Sequence, residues 1–79
     1  MEFNPRNYTI YITYAMFDGE WLYEATVKEL PNVADYAETH ERALELILDT
    51  IALTKKSFDE MGMEFPKPFD VNEVEIKFD

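Results

Sequence analysis

Residues 19–43 read GEWLYEATVKELPNVADYAETHERA, and the fold turns on how this stretch is divided. Gly19 ends a turn, and Glu20 to Lys28 alternates in the manner of a strand with one buried face. Leu30-Pro31-Asn32 is expected to end that strand, because proline has no N–H to give to a ladder and biases the residue before it towards extended geometry. Val33 to Ala37 then forms a short third strand. Thr39 reads as a helix N-cap, its hydroxyl accepting from a first-turn N–H, with Glu41 placed favourably against the helix dipole. The acid of a capping box is missing, since Arg42 stands three residues after the cap.

Working outward to the N-terminus, Tyr8 to Phe17 alternates β-forming residues, and Asp18-Gly19 supplies the two positions that tolerate positive φ in a tight hairpin. If those two form the loop, Phe17 faces Glu20. One face then carries Tyr8, Ile10, Ile12, Tyr14 and Met16 with Trp21, Tyr23, Ala25 and Val27. The other carries Thr9, Tyr11, Thr13, Ala15 and Phe17 with Glu20, Leu22, Glu24, Thr26 and Lys28. The first set is apolar or aromatic throughout and the second is mixed, whereas a slip by one residue would scramble them. This register predicts that Trp21 is buried against the helix. Met1 to Asn7 is a lead-in marked by Pro5.

Towards the C-terminus, His40 to Met61 contains neither Gly nor Pro. Ala43, Leu44, Ile47, Leu48, Ile51, Phe58 and Met61 recur at helical spacing, which predicts an amphipathic helix of roughly six turns, about 33 Å long. Gly62 suits the left-handed position after it. Leu46 and Leu53 lie beside the main stripe, either widening the core or facing another subunit. Met63 to Phe69, with Pro66 and Pro68, is an extended connection. Val71 to Phe78 alternates again, with Val74, Ile76 and Phe78 inward, and reads as a last strand. The expected class is α+β: β-β-β-α-β, one antiparallel-rich sheet on a single long helix.

The totals agree with one small domain spanning 1–79. With 79 residues and no cysteine, neither a disulfide nor a Cys-based metal site can staple it, so self-association would add stability. No apolar run is long enough for a membrane span and no signal pattern opens the chain, which predicts a cytoplasmic protein. Seventeen acidic against seven basic residues give a formal net charge of -10. Such a surface repels phosphate backbones, so no direct nucleic-acid contact is expected, and it attracts basic partners.

Residues that could carry chemistry are scattered. Asp18, Glu24, Glu29, Asp35 and Glu38 show no metal-loop or HExxH spacing. They read as solvated acids, with no metal and no cofactor expected. His40 has no Ser, Cys or second His in a suggestive context, so no catalytic residue is assigned. Gly19 and Gly62 both have turn or cap duties, and no phosphate loop is present. Phe17, Leu22 and Tyr11, on the mixed sheet face, point to a covered second core or to an interface.

Gly19, Trp21, Ala25, Val27, Glu29-Leu30-Pro31, Thr39-His40-Glu41-Arg42-Ala43-Leu44, Gly62, Pro66 and Pro68, in that order and spacing, resemble the HicB family of antitoxins. The likeness covers Gly19 to Pro68, nearly the whole of that family's N-terminal domain. Asn32 and Val33 stand where the family has Gly-Cys, Ala37 where it has a glycine, and Arg42 where it has a second glutamate. The resemblance implies a reduced ribonuclease H-like fold without the catalytic carboxylates, and a partner of the HicA type, a small basic ribonuclease that cuts mRNA and whose active site is covered. It also leads us to expect a stand-alone HicB-like domain with no separate DNA-binding domain.

These readings together favour an antitoxin, an interaction protein and not an enzyme. The alternatives are an orphan HicB-like regulatory or scaffold domain without a toxin and, further off, a ribonuclease H-like nuclease. Glu29, Leu30, Asp35, Tyr36, Glu38 and Glu41, around the Leu-Pro-Asn corner and helix start, are the expected partner-binding residues. Tyr11, Phe17, Leu22, Leu46 and Leu53 are the expected surface of a homodimer or higher homo-oligomer.

Overall fold

The computed structural model describes residues 3–69. After a 3-10 turn at Pro5–Asn7 come strands β1 (Ile10–Phe17), β2 (Glu20–Val27) and β3 (Leu30–Ala37), then helix α1 (His40–Glu60). The class is α+β: a three-stranded antiparallel sheet in the order β1-β2-β3, followed by one helix. The expected strand from Val71 to Phe78 lies outside the described residues.

The first hairpin has the register read from the sequence. Asp18 and Gly19 take φ of 49° and 84°, the left-handed pair that a two-residue loop needs to match strand twist. Phe17 pairs with Glu20, and the ladder runs through Tyr14–Tyr23 and Ile12–Ala25 to Ile10–Val27. Apolar and mixed sets therefore occupy opposite faces.

The second corner differs from expectation. The turn is Lys28-Glu29, and Leu30-Pro31-Asn32 opens β3 instead of ending β2. Pro31 is tolerated because Pro31–Val33 fall in an irregular stretch between the pairs Val27–Leu30 and Thr26–Ala34, on a strand at the sheet edge, so the missing N–H breaks no ladder bond. The irregularity has a large consequence. An unbroken register from Val27–Leu30 would carry Ala37 to Glu20 at the hairpin tip, whereas Ala37 pairs with Tyr23. β3 stops short, and the tip of β1-β2 continues as a two-stranded ribbon.

Both helix ends follow their caps. The Thr39 hydroxyl accepts from Arg42 N–H at 3.2 Å. Gly62, at φ 70°, donates to Asp59 O, and Met63 donates to Phe58 O at 2.9 Å; these two bonds form a Schellman motif that satisfies the last carbonyls. Ala43, Ile47 and Ile51 are fully buried on the inner face of α1, against Ala25, Val27, Leu30 and Ala37 of the sheet. Three of these contact residues are alanines, which let helix and sheet approach closely. Leu44, Leu46 and Phe58 pack at the margins, while Met61 is exposed as the C-cap.

The helix begins just after β3 ends, so it begins opposite Tyr23 and leaves the tip bare. Trp21 is 54% exposed, which overturns its expected burial against the helix although the register itself holds. Tyr14 and Met16, on the same face, are exposed as well.

Candidate functional site

Of the six residues expected to meet a partner, two lie in the interior. Glu29 is only 7% exposed and Leu30 belongs to the core. One Glu29 oxygen accepts from Thr9 N–H at 3.0 Å; the other accepts from the Thr9 hydroxyl at 3.1 Å and from Phe69 N–H at 2.8 Å. Burial pushes the Glu29 carboxyl up, but these donors outweigh it and hold the group below the usual carboxylate range. Glu29 thus ties the β2–β3 turn to the approach of β1 and to the chain beyond α1. It is a structural carboxylate and not part of a docking surface.

Asp35 is half-buried on the helix-facing side of β3, accepting from the Thr50 hydroxyl at 2.5 Å. Tyr36, its neighbour, points to the opposite face. There its hydroxyl donates to Glu24 at 2.9 Å, and that bond raises the phenol pKa. Glu38 and Glu41 are exposed between β3 and the first helical turn. Glu41 is held below its usual pKa by its own backbone N–H and by His40, whose Nδ1 lies 3.0 Å away. The acids that are close in sequence are therefore dispersed over an interior and two faces.

The expected oligomer surface divides as well. Tyr11, Phe17 and Leu22 share the sheet face turned away from α1, where Phe17 meets Tyr36 edge-on at 4.9 Å. Tyr11 is exposed, and Phe17 and Leu22 are half-buried. Leu46 is half-buried and packs against the core, as the wider-core reading of this pair expects. Leu53 itself is 65% exposed.

The hairpin tip carries the most conspicuous surface, and sequence reading missed it by assigning it to the core. Tyr14 stacks on Trp21 at 5.2 Å between centroids and packs on Tyr23 at 4.5 Å. Tyr23 in turn lies 6.2 Å from the His40 ring at the helix start. Met16 extends the strip towards the turn as the partner of Trp21 in the ladder. Among the described residues no three His, Asp or Glu side chains are grouped so as to hold a metal ion, and no helix is long and apolar enough to cross a membrane.

No protein-family model, curated protein or solved structure matches the chain.

Proposed function

We propose that this chain is an antitoxin-type interaction protein of the HicB kind, acting in the cytoplasm by covering the active site of a small basic ribonuclease like HicA. The observation that supports this reading is the ordered pattern from Gly19 to Pro68, whose positions fall on successive junctions of the fold. Gly19 lies in the hairpin turn, Ala25 and Val27 in the core, Glu29-Leu30 at the second corner, Thr39 at the cap, Ala43 on the buried helix face and Gly62 in the left-handed C′ position. The strand-strand-strand-helix order of the described residues fits the first four elements of a reduced ribonuclease H-like domain. A net charge of -10 suits a protein that must meet an RNA-binding, basic surface.

The sheet face bearing Tyr11, Phe17 and Leu22 is the surface we assign to a homodimer, since it lies opposite the helix and carries large apolar groups. Sedimentation tests this part: a dimer is expected at micromolar concentration, and Tyr11→Glu is expected to give monomers. A wild-type monomer at high micromolar concentration would remove it.

The functional reading is tested with the product of the reading frame next to the gene for this chain, which the reading expects to be a short basic protein. Its expression alone is expected to arrest growth and cut mRNA, and co-expression of this chain is expected to relieve both through a stoichiometric complex. A neighbour that is neither toxic nor bound would leave a scaffold role as the better reading.

A further inference from the structure

We propose that the aromatic strip at the hairpin tip, Tyr14, Trp21 and Tyr23 with Met16 and His40 at its ends, is the anchoring site for an arginine-bearing segment of a protein partner. The inference rests on the reading of this chain as an interaction protein for a basic partner, and it assigns the docking surface within that reading. Stacked rings that stand half out of water present flat, electron-rich faces, which guanidinium groups cover by stacking and by cation–π attraction. Tyr14 is 52% and Trp21 54% exposed, in a ladder position that the core could have used but that neither β3 nor α1 reaches.

Charge selects the occupant. The strip runs between acids, Asp18 in the turn at one end and Glu41 beside His40 at the other, on a chain of net charge -10. Nucleic-acid bases also stack on such rings, but their phosphates would be repelled. A second copy would bring the same acids to the same place. Among the described residues, the chain's own cation–aromatic contacts are elsewhere, Lys28 over Phe69 and Lys55 over Phe3. Arg42, near the helix start, is engaged with Glu45.

Large, rigid aromatic groups at the centre of an interface carry most of its energy, and rim charges mainly set the rate. The sequence corner around Leu30 therefore supplies fold, and the tip supplies grip.

Trp21 is the only tryptophan, so its fluorescence reports on this site. We would titrate the protein with hexa-arginine and hexa-lysine peptides of equal charge, following Trp21 emission and heat of binding. Hexa-arginine is expected to bind about fivefold more tightly than hexa-lysine, and Tyr14→Ala to weaken it by about three- to fivefold, the range of one exposed cation–π contact. Trp21→Phe, followed by calorimetry, is expected to keep most of the affinity and Trp21→Leu to lose it, with circular dichroism verifying that each variant is folded. Equal binding of the two peptides, unmoved by Tyr14→Ala and Trp21→Leu, would reduce the attraction to net charge and overturn the proposal. Self-association of the free protein that disappears in Trp21→Leu would give the strip to a second copy and overturn it equally. No ribonuclease enters these titrations, so the absence of a toxin would end the antitoxin reading without moving this result.

Discussion

Two aromatic clusters stand near opposite ends of β1. At the start of the strand, Tyr8 packs on Phe65 at 5.8 Å, with Phe3 and Phe58 against the same ring at 5.9 and 5.2 Å. Tyr8 is buried and its hydroxyl donates to Pro66 O at 2.5 Å. At the other end, Tyr14, Trp21 and Tyr23 pack just as closely, yet Tyr14 and Trp21 stay open and only Tyr23 leans on the core. Composition is nearly the same at the two ends, so hydrophobicity does not decide which one becomes core. The decision is made by where the covering elements stop, and that follows from the residues β3 spends at Pro31–Val33 before it regains the ladder.

The difference predicts unequal sensitivity to mutation. The largest effect is expected at the covered end: Ile47→Ala, at a side chain with no exposure, should cost about 2–5 kcal/mol in urea denaturation. For a domain this small that is a large part of the total stability. A loss below about 1 kcal/mol would mean that the helix is not seated on the sheet as described.

Next in size is Glu29→Gln, at about 1–3 kcal/mol, because it weakens charge-assisted bonds from Thr9 and Phe69 in a buried place. Its sign with pH is set by the lowered native pKa. Glu29 contributes its full stability above the ordinary carboxylate range, and the contribution fades as pH falls through the native value. The wild type should thus lead Glu29→Gln at neutral pH and converge with it in acid. A gap that stays constant with pH would remove the ionised carboxylate from the account of this corner.

Smaller still is Gly62→Ala. Nothing crowds a Cβ there, so the cost is the left-handed backbone alone, about 1 kcal/mol by thermal denaturation. At the open end, Trp21→Ala is expected to change stability by less than about 1 kcal/mol, the worth of the ring stack on an exposed ribbon. A loss as large as that of Ile47→Ala would put the tip inside a core.

What the sequence disclosed is what short-range chemistry determines. Asp18-Gly19 sets one hairpin register, Thr39 caps the helix and Gly62 ends it, each through atoms within a few residues. The second corner was less legible because Pro31 signals a break and gives no measure of how many residues go unpaired after it. Trp21 could not be placed without that measure. Glu29 was legible only as an acid at a strand end, since its donors lie 20 and 40 residues away in sequence. The candidate site was missed for the same reason: an apolar face marks what can be buried, and only the lengths of β3 and α1 say what is.

Acrylamide quenching of Trp21 in the free protein tests most directly whether the tip is open. We predict a water-like emission maximum and a quenching constant close to that of the urea-unfolded chain, both insensitive to protein concentration. A blue-shifted emission with strong protection from acrylamide would contradict this, showing the aromatic strip to be core or already covered in solution.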